Sequence, residues 1–160
     1  MENNNSEKLN KINHSKFYEG DKDILNIRNN NEIVEKDEEN PFEQFSAVDF
    51  MTGSCDIFSV CLNEKFDYKI YKIIQKKEVH YFCFSEIDKI KYYIDVRGFT
   101  NSFNEFVNFY RMPKNGEIKK VSKSEINETK RQKYYLDGER FAKKIINENI
   151  NNYFINKNIE

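Results

Sequence analysis

The chain has 160 residues, 38 % apolar and 33 % charged, with a formal net charge of −1. That length suits one domain with a modest core, and the near-neutral balance gives no field that would hold nucleic acid or an acidic lipid surface. Three cysteines, none in a CxxC arrangement, argue against a disulfide scaffold and a structural zinc site.

Residues 1–40 are polar and Asn-rich, without sustained periodicity, and read as an N-terminal extension. His14 lies there as a solvated histidine. Met1 to Asn13 lack an apolar leader core, and no run approaches the ~20 apolar residues of a membrane span. The expected location is therefore cytoplasmic. Residues 41–160 are expected to form the folded domain. Asn40-Pro41-Phe42-Glu43 is a helix start with a capping residue, an N-terminal proline and a capping-box glutamate. This helix is expected to run to about Met51, where Thr52-Gly53 breaks it.

Thr52 to Leu62 is the stretch around which the remainder is organised. Ser54 is expected to cap a helix through its side chain, with Cys55 at the first helical position, where the helix dipole favours thiolate. Ile57, Phe58, Cys61, Leu62 and Phe66 follow at helical spacing. Cys61 is expected to be a core residue, as is Cys83 further on.

Tyr68–Ile74, Val79–Phe84 and Ile90–Val96 are rich in β-branched and aromatic residues and read as a three-stranded meander. Its connections are Gln75–Glu78 and the polar loop Ser85–Lys89. Glu78, Glu86 and Asp88 lack metal-ligand spacing and read as solvated charges. Ser102-Phe103-Asn104-Glu105 opens a helix with Phe103, Phe106, Val107 and Tyr110 on one face, stopped by Pro113. Asn115-Gly116 turns into a short strand ending near Lys123. Asp137 is read as the cap of a last helix, Gly138 to about Ile155, with Phe141, Ile145, Ile146, Ile150 and Phe154 at helix-like spacing.

The candidate chemistry lies in Cys55, His80 and Asp95. If the loop after the second meander strand centres between Ile87 and Asp88, Phe84 faces Lys91, Phe82 faces Tyr93 and His80 faces Asp95. A helix tip on that face brings thiol and imidazole together. His80 would take the thiol proton, Asp95 would orient the ring, and the Cys55 N–H would help bind an oxyanion. Arg97, close to Asp95, is the candidate for binding a substrate carboxylate or phosphate, and a structural ion pair with Asp95 is its other reading.

A cysteine opening a helix, then a strand histidine, then a strand aspartate resembles the core of transglutaminase-like and other papain-like proteins over about Thr52–Gly98. The resemblance implies an α+β fold with an antiparallel sheet against the cysteine helix and further helices towards the C-terminus. It also implies amide or ester hydrolysis or acyl transfer by Cys55, His80 and Asp95, on a protein or peptide-like substrate, without cofactor or metal. Departures are the missing tryptophan after the cysteine and the short Cys55–His80 separation; Gln44 is the nearest upstream glutamine for an oxyanion hole. The alternative is a non-catalytic cytosolic binding or inhibitor module on a degenerate scaffold of this kind.

Overall fold

The computed structural model describes residues 15–17, 47, 49–109, 112–127 and 133–156. His14, the expected helix start at Asn40–Glu43, and Gln44 lie outside them. The fold is α+β, built on a six-stranded antiparallel sheet. In chain order the elements are β1 (Ser15–Phe17), α1 (Asp49–Thr52), α2 (Cys55–Phe66), β2 (Lys69–Gln75), β3 (Glu78–Ile87), β4 (Ile90–Asp95), β5 (Gly98–Thr100), α3 (Phe103–Val107), β6 (Glu117–Lys120), α4 (Lys123–Asn127), α5 (Lys133–Glu148) and α6 (Ile150–Tyr153). The strand order is β1-β5-β4-β3-β2-β6.

Helix α2 is buried at Cys55 and continuously from Ile57 to Leu62. A helix apolar nearly all round belongs inside a core, and α2 packs between β3 and α5. It ends where Asp67 adopts a left-handed conformation (φ 62°) and returns its N–H to the Asn63 carbonyl.

Side chains of β3 alternate between two faces. The Cys83 thiol donates to the Ser59 carbonyl of α2 at 3.2 Å, so odd-numbered residues face that helix. Phe82 lies 4.8 Å from Phe106 of α3, ring to ring, so even-numbered residues, His80 included, face α3. Phe50, Phe58, Phe141 and Tyr153 fill the α2 side, and Phe82, Tyr93 and Phe106 the other.

The meander forms, with one correction to its register. Strands β3 and β4 continue to Ile87 and from Ile90, leaving only Asp88-Lys89 as the turn. Both turn residues have positive φ (53° and 68°), as a type I′ hairpin requires. Phe84 consequently faces Tyr93, not Lys91. This displacement of two residues keeps every side chain on its expected face.

Two helices also differ from expectation. Helix α3 stops at Val107, short of Pro113. The last helix begins at Lys133, so Asp137 lies within it rather than capping it, and a break at Asn149 separates the short α6. Ile150 and Phe154 are consequently exposed, while Phe141, Ile145 and Ile146 are buried.

Gly116 is the close approach that lets β6 join the sheet. A Cβ there would lie 2.7 Å from both Ile73 Cγ1 and the Ile74 carbonyl oxygen. Since backbone cannot yield cheaply, Gly116→Ala is expected to destabilise by about 1–3 kcal/mol, read from the urea midpoint.

Candidate active site

Cys55 reaches the site from the tip of α2. Ser54 occupies the N-cap position, but its side chain makes no capping bond. Its backbone carbonyl closes the first turn instead, accepting from Ile57 N–H at 3.1 Å and from Phe58 N–H at 3.4 Å. The Cys55 N–H, as the first of the helix, lies outside the intrahelical ladder. Ser59 Oγ donates to the Cys55 carbonyl at 2.9 Å and tightens the same turn.

His80 comes from β3, on the face away from α2. The two meet because β4 is shorter than β3. The β3–β4 ladder ends with Cys83 opposite Ile94, so the edge of β3 from Glu78 to Tyr81 has no β4 partner. The Tyr81 N–H donates to Cys55 Sγ at 3.4 Å. The sulfur thus occupies the strand edge and reaches the neighbouring imidazole. Tyr81 carries no sequence signal for this role, because the group used is its backbone.

Asp95 ends β4. Its Oδ2 lies 3.0 Å from His80 Nε2, so the expected imidazole–carboxylate contact forms despite the displaced register. The same carboxylate accepts the Arg97 N–H at 2.8 Å, Arg97 Nε–H at 3.1 and 3.2 Å, and Arg97 Nη2–H at 2.7 Å. Arg97 Nη2 also donates to the Phe106 carbonyl at 2.8 Å. Asp95 and Arg97 straddle the turn between β4 and β5. Tyr153 Oη holds that turn, donating to the Val96 carbonyl at 2.6 Å.

Cys55, His80, Asp95 and Arg97 are 6, 3, 2 and 1 % exposed. Arg97 therefore sits behind the carboxylate, with its donors turned inward. The ion pair with Asp95, the other reading of Arg97, is present at 2.7 Å.

The charges reinforce one another. Burial disfavours the His80 imidazolium, but the Asp95 hydrogen bond, the neighbouring Cys55 sulfur and the Asp95 charge outweigh it. Together they raise the pKa to about 9. Burial likewise works against the Asp95 carboxylate, yet the Arg97 charge and the His80 and Arg97 hydrogen bonds hold it well below the usual carboxylate range. With Nε2 committed to Asp95, the other ring nitrogen is Nδ1, which is buried and lacks a partner of normal hydrogen-bond geometry. It is the atom free to exchange a proton with the nearby thiol. The ring is walled by Phe106, 6.0 Å away between centroids.

The other two thiols are core groups. Cys83 is fully buried, and burial pushes its thiol pKa well up. Cys61 is 2 % exposed, with its sulfur 3.8 Å from the Glu139 carbonyl oxygen. Among the described residues there is no cluster of three or more His, Cys, Asp or Glu side chains able to hold a metal ion. Nor, among them, is any helix long and apolar enough to cross a membrane.

No family model, curated protein or solved structure matches the chain.

Proposed function

We propose that the protein is a cysteine-dependent hydrolase or acyltransferase acting on an amide or ester. The observation that carries this reading is the buried run from Cys55 through His80 to Asp95, with Nδ1 as the unsatisfied ring atom. His80 Nδ1 holds the proton given up by the thiol, the ring staying an imidazolium up to about pH 9, while Sγ adds to the acyl carbon. The carbonyl π pair moves onto oxygen, beside the Cys55 N–H. Collapse of that intermediate expels the amine or alcohol, which takes the proton from Nδ1, and leaves a thioester. Water or a second nucleophile then gives a proton to Nδ1, attacks the thioester and breaks the C–S bond. Asp95 keeps the ring oriented and offsets its positive charge throughout.

The open edge of β3 supports the same reading. Val79, two residues from the Tyr81 N–H that meets the sulfur, is 43 % exposed. A protein or peptide-like donor in extended form suits a strand edge.

The low exposure of Cys55 favours one other reading, a non-catalytic binding module whose polar core retains these residues. One experiment separates the two. A cysteine-reactive acyl probe is expected to label Cys55, leave Cys61 and Cys83 untouched, and label nothing in Cys55→Ala. Labelling spread evenly over the three thiols, or none on folded protein, would leave only the binding module.

A further inference from the structure

Arg97 is unusual for a cation with this much hydrogen-bonding capacity: it is almost wholly buried and spends its donors inside the fold. Its guanidinium engages both Asp95 oxygens, while Nη2 is tied to the Phe106 carbonyl. The rings of Phe106 and Phe109 lie 5.3 and 5.5 Å from the guanidinium carbon. The fork therefore cannot rotate without breaking contacts on several sides. It leaves Asp95 one orientation, the one that aims Oδ2 at His80 Nε2.

We propose that Arg97 is a positioning residue for the Cys55–His80–Asp95 chain, setting through Asp95 both the orientation of the imidazole and the hold of the carboxylate on its proton. In this role Arg97 acts through the Asp95 carboxylate, which its Nε and Nη2 hold. The groups facing His80 define the charge balance. Cys55 comes from α2, and Asp95, backed by Arg97, comes from the β4–β5 turn. Phe106 of α3 and Ile73, opposite on β2, are uncharged. With Arg97 present, the Asp95 charge is divided between two cations. Without it, the imidazolium is the only cation facing a buried carboxylate, and it should hold its proton more tightly.

The inference rests on the proposed cysteine chemistry, and its test can fail separately. The chain has two histidines, so a His14→Gln background leaves one imidazole to follow by NMR. Arg97→Met is expected to move the His80 titration midpoint upward by about one pH unit or more, a tenfold tighter hold on the proton. An unmoved midpoint in a folded Arg97→Met protein overturns the proposal. If that variant does not fold, Arg97→Lys decides, since it keeps the charge and loses the fork. Its midpoint is expected to stay near wild type while alkylation of Cys55 by iodoacetamide slows about tenfold, less than the loss of a whole general base because the base is only misaligned. Alkylation at the wild-type rate overturns the positioning role. If wild-type Cys55 is no more reactive than Cys61 or Cys83, the cysteine chemistry falls, and the Arg97→Met midpoint still reports on Arg97.

Discussion

Asp95→Asn is expected to cost about 3–5 kcal/mol of stability, because it leaves Arg97 as a buried cation without its counter-charge. The substitution preserves size and can keep an oxygen towards His80 Nε2, so the loss would reflect charge more than packing. Labelling of Cys55 by an acyl probe should also slow by about 10²-fold or more, the contribution of a well-placed general base. Urea unfolding and labelling kinetics on the same protein measure the two effects. A variant that melts early yet labels at the wild-type rate would show the carboxylate to be a structural anchor with no part in the chemistry.

The second large effect is on stability against pH. The His80 pKa is about 9 in the folded protein, against about 6.5 for an unstrained imidazole. A raised folded value means the group stabilises fully below the unfolded pKa. That contribution is lost as pH rises from about 6.5 through about 9 and amounts to on the order of 3 kcal/mol. Asp95 has the opposite sign. Its depressed folded value gives stability that is present above the ordinary carboxylate pKa and lost as pH falls through the folded one. The two describe largely one buried pair, so their magnitudes are not added. Urea midpoints at pH 6 and pH 10 should differ more for wild type than for His80→Gln, which cannot take up the proton. Equal differences in the two proteins would mean that His80 is neutral throughout.

Much of this site is legible in the residues. Cys55 follows a Gly-Ser break and opens an apolar helix. His80 and Asp95 fall in runs rich in Tyr, Ile and Phe that only a sheet accommodates. Parity then decides which side chains share a face, so the imidazole–carboxylate contact survives an error of two residues in the register. That error came from the turn: Asp88-Lys89 lacks the glycine or asparagine that marks a two-residue hairpin, and Lys89 at positive φ is a conformation that tertiary context imposes. The extent of the last helix was hidden for a related reason. Asp137 has the chemistry of a cap, but the helix runs through it from Lys133. For Arg97 the sequence offers both an anion site and an ion pair with Asp95, because spacing places it near Asp95 without telling whether its donors turn inward or to solvent. The Tyr81 contact is not legible, because it depends on β4 ending early.

The hairpin turn at Asp88-Lys89 has a further bearing on how this chain can change over generations. Where the turn itself stays at two residues, gaining or losing two there slides Asp95 by one rung and leaves it on the same side of the sheet as His80. Gaining or losing one swings it across to the side of α2, severing acid from imidazole while leaving both letters in place. Length variation at this tip should therefore come in even steps wherever the chemistry is retained, and odd steps should accompany its loss.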